Sequence, residues 1–231
     1  MLNIGLIGCG KWSKNVIKEI QDNNNFILQG IVCKNNNNLI KNSKIKIYIN
    51  YEEMINNKDI DCLYIAKNPE INIKVLEGLS YKKPIIFEKP ISENFEIGSK
   101  IYNYSINNKV CFMTNLPNIY SDTFEVTKDF LSSNYNKIIK VKIIEGNYGP
   151  FRKNIHPILD WGIHPLTYVI KIFGYNNLNY ISHKFLKKDK NNNIYISKFN
   201  VPTNFKFNID ILTGNFFKKK NKIIKNLYER W

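Results

Sequence analysis

Arginine is scarce in this chain. Of 34 basic residues only Arg152 and Arg230 carry a guanidinium, so the bidentate forks that suit phosphate and base edges are nearly absent. The net charge of +15 would suit a nucleic-acid partner. The lysines, however, run the whole length of the chain among asparagine, isoleucine and tyrosine, as in an AT-rich coding bias. Even the densest run, FFKKKNKIIK, reads as the solvated face of a strand, so no nucleic-acid partner is expected. No apolar run reaches the length of a membrane span, and no basic leader precedes Leu6-Ile7-Gly8-Cys9. Neither a membrane partner nor a signal peptide is expected. The four cysteines, Cys9, Cys33, Cys62 and Cys111, show no CxxC pair and no metal spacing. The expectation is reduced, mostly buried thiols in a cytoplasmic protein. Histidine is equally sparse. His156 and His164 flank Asp160 at four-residue steps, but Pro157 and Pro165 interrupt a helix across them, and no metal site is expected.

What the chain does have is apolar mass. With 43% hydrophobic and 13% aromatic residues in 231, it has enough to bury one large core or two small ones. The first half alternates. Strand-like runs at Asn3–Cys9, Phe26–Cys33, Asp61–Ala66, Pro84–Phe87 and Val110–Thr114 are separated by helical spacing at Trp12–Ile20, Tyr51–Asn56, Ile71–Ser80 and Phe95–Asn107. That rhythm predicts an α/β Rossmann-type, doubly wound parallel sheet over residues 1–117. The second half differs. A long strand at Lys137–Asn147 and an apolar helix at Trp161–Phe173, closed by Gly174, precede strands at Tyr180–Leu186, Ile194–Val201, Phe205–Leu212 and Lys222–Leu227. Successive strands predict an α+β domain over 118–231 with an open, mostly antiparallel sheet.

The turn after the first strand reads Gly8-Cys9-Gly10-Lys11-Trp12-Ser13, the spacing G-x-G-x-x-S. Gly8 permits a tight turn, Gly10 lets backbone approach a pyrophosphate, and Ser13 is small enough for close helix–strand packing. The helix N-terminus that follows offers free N–H groups to phosphates. An empty glycine turn is the bland alternative; the place of the loop at the start of a βαβ unit favours a dinucleotide. The second strand ends Cys33-Lys34, where an acidic residue would read the ribose of NAD. Lys34 would meet a 2′-phosphate instead, a lean toward NADP over NAD.

The run KKPIIFEKPISE poses a different question, because a short buried strand stops in Glu88-Lys89-Pro90. Charges and a proline end a ladder, but the C-terminal ends of parallel strands also deliver functional groups. Taken with GLIGCGKWSKN, DCLYIAKNPE and LDWGIHPL, in that order over residues 1 to 175, this run resembles the glucose–fructose oxidoreductase and inositol dehydrogenase family, also called Gfo/Idh/MocA. The resemblance implies an NAD or NADP cofactor held by Gly8 to Ser13, Cys33, Lys34, Ala66, Asn68, Glu88 and Lys89. It implies that Lys89 sits beside the reacting carbon, with a Lys89–Pro90 bond that is often cis. It matches Asp160 and His164 to a D-x-x-x-H motif in which His164 takes a proton and meets substrate. It implies a sugar-like small-molecule substrate and possible self-association through the C-terminal sheet. Asp160 as a helix cap and His164 as a packing residue is the structural alternative.

Departures from the family pattern matter as well. Asn72 stands where members often have histidine, and Pro165 replaces an acidic residue. The chain is shorter than most members. Arg152 suits either a substrate carboxylate or phosphate, or a plain surface loop. A dehydrogenase or reductase acting on CH–OH groups is therefore expected, with a catalytically silent dinucleotide-binding protein as the alternative.

Overall fold

The structure, a computed structural model, describes residues 1–33, 45–149, 155–156, 158–189, 192–201 and 207–228. Lys34, Arg152 and the Asn35–Asn38 tract lie outside the described residues. The chain divides into two compact units, Met1–Asn115 and Leu116–Trp231.

Unit 1 runs β1 (Leu2–Ile7), α1 (Ser13–Gln21), β2 (Phe26–Val32), β3 (Lys46–Tyr48), α2 (Tyr51–Ile55), β4 (Cys62–Ile65), α3 (Asn72–Glu77), β5 (Ile85–Glu88), α4 (Phe95–Asn108) and β6 (Phe112–Asn115). Its sheet has the order β3-β2-β1-β4-β5-β6, with every described pairing parallel. The chain winds outward in both directions from the β1–β4 boundary, where strand ends leave a crevice for a ligand. Both faces are apolar, as a parallel sheet requires. Leu63, Ile65 and Phe87 pack with Met54, Val75, Leu76 and Ile101 on one side. On the other, Ile4, Leu6, Leu28 and Ile31 pack with Val16, Ile17 and Ile20 of α1. Asn94 caps α4, its side chain accepting from the Ile97 N–H at 2.9 Å.

Unit 2 comprises α5 (Asp122–Ser133), β7 (Ile138–Tyr148), α6 (Ile163–Phe173), β8 (Asn179–Asp189), β9 (Asn192–Val201), β10 (Phe207–Gly214) and β11 (Phe216–Tyr228). The sheet order is β11-β7-β10-β9-β8, and only the β10–β7 pairing is parallel among the described residues. One face is covered. Val141, Ile143, Ile209 and Ile211 pack with Leu131 of α5 and Val169 and Phe173 of α6. Phe207 anchors this core against the rings of Tyr135 and Phe173, at 5.4 and 5.3 Å between centroids. On the other face Lys140 pairs with Asp210 at 2.5 Å.

The fold follows the expected α/β and α+β pattern, with two elements added. β3 is three residues long and buries only Tyr48, too little for a periodic signal. α5 buries only Phe124 and Leu131, seven residues apart, so no apolar stripe marks it. The reading of the cysteines needs correction. Cys9 and Cys33 form a disulfide, with Cα atoms 5.4 Å apart. The cause is topological: β1 and β2 are adjacent and parallel, so residues just past their C-terminal ends meet although 24 positions separate them in sequence. Of the other two, Cys62 is half-buried and Cys111 exposed, so the thiols are not mostly buried.

Candidate functional site

The glycine loop follows from how β1 ends. The Gly8 N–H donates to the Val32 carbonyl at 3.3 Å and the Ala66 N–H to the Ile7 carbonyl at 2.9 Å, which ties the ends of β2, β1 and β4 together. Gly8 has φ +121°, and a Cβ there would collide with the Ala66 carbonyl oxygen, so a side chain is excluded twice over. Gly10 is different. A Cβ there would meet nothing within 4 Å, so the space over its backbone is open. Ser13, the first residue of α1, is fully buried, and its hydroxyl finds no hydrogen-bond partner among the described residues. Trp12 precedes α1 with no side-chain cap on the helix, and the Ser13 and Asn15 N–H groups donate to the Gly10 and Trp12 carbonyls at 3.1 and 3.0 Å. Open space over the Gly10 backbone and a small packed residue at Ser13 are what close approach of a dinucleotide pyrophosphate needs. Lys11 lies exposed in the loop and Asn68 is exposed past the end of β4. Cys33, past the end of β2, donates its N–H to the Tyr48 carbonyl at 3.0 Å.

At the end of β5 the Glu88 carboxylate gathers its neighbours. Oε1 accepts from the Trp12 indole N–H at 2.7 Å, the Tyr64 hydroxyl at 2.5 Å and the Asn115 amide at 2.8 Å. The Asn115 amide also donates to the Tyr64 oxygen at 2.7 Å. Burial first, then the adjacent Glu88 charge, pushes the Tyr64 hydroxyl well above the usual phenol range, so it stays a donor. Lys89 follows, half-buried, and its peptide bond to Pro90 is cis. Asn72, itself buried, donates to the Ile91 carbonyl at 2.8 Å and holds the chain just beyond Pro90. Sequence reading missed Tyr64 and Asn115 as site residues. Their signal was positional, since each lies at or near the C-terminal end of a strand that pairs with β5.

The second set lies in unit 2. Asp160 sits in a π-helical turn, Ile158–Gly162, and is 3% exposed. α6 begins one residue after that turn with Gly162 as its cap, so Asp160 is not the cap of α6. His164 occupies the second position of α6 and Pro165 the third. Further along α6, burial first and then the Glu145 charge raise the Tyr168 hydroxyl above its usual range. Glu145 is itself buried, in register with Thr213 and, one strand on, Tyr195. His156 reaches the Tyr195 hydroxyl through Nε2 at 2.8 Å, while His183 stacks on the same ring and meets Ser197 at 3.0 Å. Burial, with a smaller effect from His183, holds the His156 imidazole below the usual histidine range. It also pushes the Tyr195 hydroxyl up to about 12. Among the described residues no three His, Cys, Asp or Glu side chains group as a metal site would require.

A doubly wound sheet with a glycine loop at its switch point defines a dinucleotide-binding protein. Residues 2–116 match the sequence model of the Gfo/Idh/MocA oxidoreductase family, with its NAD-binding Rossmann fold, and over that half the chain belongs to the family. No curated protein matches the chain. Among solved structures, a dehydrogenase from Chromobacterium violaceum is 13% identical with a TM-score of 0.84, covering 98% of this chain and 69% of its own. Apo scyllo-inositol dehydrogenase from Lactobacillus casei is 12% identical with a TM-score of 0.80, covering 99% and 73%. At these identities the likeness is one of fold. Among the described residues no helix is long and apolar enough to cross a membrane.

Proposed function

We propose that this protein is an NAD(P)-dependent dehydrogenase or reductase acting on a hydroxyl or carbonyl of a sugar or sugar-like small molecule. The observation that carries the reading is the combination, within one sheet, of an open glycine loop and a lysine that directly follows Glu88, whose carboxylate holds three donors at the end of β5. The residues that would hold the cofactor are Gly8 to Ser13, Cys33, Lys34, Ala66, Asn68 and Glu88. When bound, nicotinamide supplies or accepts a hydride. The chain supplies the rest. The Lys89 ammonium donates to the substrate oxygen and stabilises the negative charge that develops there. His164 accepts or returns the hydroxyl proton, and buried Asp160 orients it. Arg152 contacts an acidic group of the substrate. Lys34 in place of an acidic residue supports NADPH over NADH, and Lys34→Asp is expected to reverse that preference. A small-molecule substrate is consistent with a cytoplasmic location, although the Cys9–Cys33 bond is unusual for a reducing compartment.

Lys89→Met keeps the stem and deletes the charge. Turnover is expected to fall about 100- to 1,000-fold, while melting temperature and NADPH affinity stay near wild type. Turnover within a few-fold of wild type would return Lys89 to a strand-end charge. A second reading, a silent dinucleotide-binding protein, is favoured by Asn72, whose amide is committed to the Ile91 carbonyl where relatives often carry histidine. A panel of nucleotide sugars and inositols with NADPH or NADP separates the two. Binding without turnover on any of them supports the second.

A further inference from the structure

Four chain segments converge on one oxygen atom. Trp12 belongs to the glycine loop, Tyr64 to β4, Glu88 to β5 and Asn115 to β6, and all three donors meet Glu88 Oε1 within 2.8 Å. The directions are fixed by chemistry. A carboxylate only accepts, an indole only donates, and the Asn115 amide must turn its NH2 toward both Glu88 and Tyr64. The Tyr64 hydroxyl, which accepts from Asn115, therefore donates to Glu88. Packing does not explain Trp12, whose side chain leaves the residue 51% exposed. Its indole N–H is what ties it to the sheet. Lys89 follows Glu88 directly, and Asn72 pins the chain again at Ile91. A shift of the loop at Trp12 thus passes through one hydrogen bond to the residue that precedes Lys89.

We propose that Trp12, Tyr64 and Asn115 are positioning residues that make the setting of Lys89 depend on occupation of the Gly8–Ser13 loop. This rests on the reading that the loop takes a dinucleotide. With the loop filled, the Trp12 indole, Glu88 and Lys89 are held as a unit. Lys89 then reaches its working orientation only on the loaded protein.

ADP-ribose, with or without its 2′-phosphate, is a suitable probe because it fills the loop but has no nicotinamide ring to shield Lys89. Trace acetylation with acetic anhydride, read by mass spectrometry, gives the Lys89 rate relative to exposed Lys100 in the full chain. In wild type, ADP-ribose is expected to change that ratio at least about tenfold, the low end of the scale of one charge-assisted hydrogen bond. In Trp12→Phe and Tyr64→Phe, each of which deletes one donor and leaves an aromatic ring in place, the change is expected to vanish. Calorimetry should still show ADP-ribose bound, and the melting temperature should stay within a few degrees. Should Trp12→Phe lose the ligand, Tyr64→Phe, which lies outside the loop, decides by the same criterion. ADP-ribose bound with no change at Lys89 in wild type, or an unchanged response in Tyr64→Phe, overturns the inference and leaves the proposed function standing. Failure of wild type to bind either form of the probe overturns both.

Discussion

The sheet of unit 1 is covered on both faces, by Met54, Leu76 and Ile101 on one and by Val16, Ile17 and Ile20 on the other. Among the described residues, the sheet of unit 2 has apolar cover on one face only, and Lys140, Lys142 and Lys198 alternate with core residues to line the other. The difference decides where each unit can place polar chemistry. A strand buried on both sides has room for charge only where it ends. Unit 1 accordingly gathers Gly8, Cys33, Ala66, Glu88, Lys89 and Asn115 at or just past the C-terminal ends of its strands. Unit 2 also carries polar groups within its covered face, where Tyr195 meets His156 at 2.8 Å and Ser197 meets His183 at 3.0 Å. Unit 2 buries Glu145, Thr213 and Tyr195 in one register row, with Ser197 two rows along on the same face.

The sharpest break in this comparison is Gly8→Val. It combines a collision with the Ala66 carbonyl and a side chain at φ +121°, and is expected to cost at least about 4 kcal/mol, by chemical denaturation. Gly10→Val, two residues on, is expected to fold and to bind NADPH at least about tenfold more weakly, because its open space belongs to the ligand. Equal stability of the two variants would remove the backbone argument for the loop. In unit 2, Phe207→Ala empties the site beside Tyr135 and Phe173. A loss of about 3–5 kcal/mol is expected, read from the same denaturation curves.

Opening the Cys9–Cys33 bond comes next. It closes a separation of 24 residues, which the chain-entropy model values at about 3 kcal/mol. Thiol titration of the folded, denatured-without-reductant protein is expected to count only Cys62 and Cys111, and reductant to add the other pair. Four reactive thiols before reduction would show that the bond does not form.

The smallest effect is on pH dependence. The folded His156 pKa lies below its ordinary value of 6.5, so the unfolded chain binds the proton more readily. This contribution to stability is full above about pH 6.5, falls as the pH drops through that value, and levels off below the lowered folded pKa. His156→Gln is expected to flatten that part of the slope in urea midpoints measured between about pH 5 and 8. An unchanged slope would detach His156 from the Tyr195 cluster.

The sequence alone determined the alternating half, because a parallel sheet demands short apolar strands such as LNIGLI and CLYI, and α1 shows its buried face through Val16, Ile17 and Ile20. It also marked the glycine loop and the strand end at Glu88, since turn chemistry and charge are local and visible. It did not reveal β3 or α5, which bury one and two side chains respectively and leave almost no periodic trace. The disulfide and the Glu88 cluster were decided by tertiary structure. Cys9 meets Cys33, and Trp12, Tyr64 and Asn115 meet at Glu88, only because parallel strands far apart in sequence end side by side. Strand order is set by which faces can be buried together, and no local spacing in the chain records it.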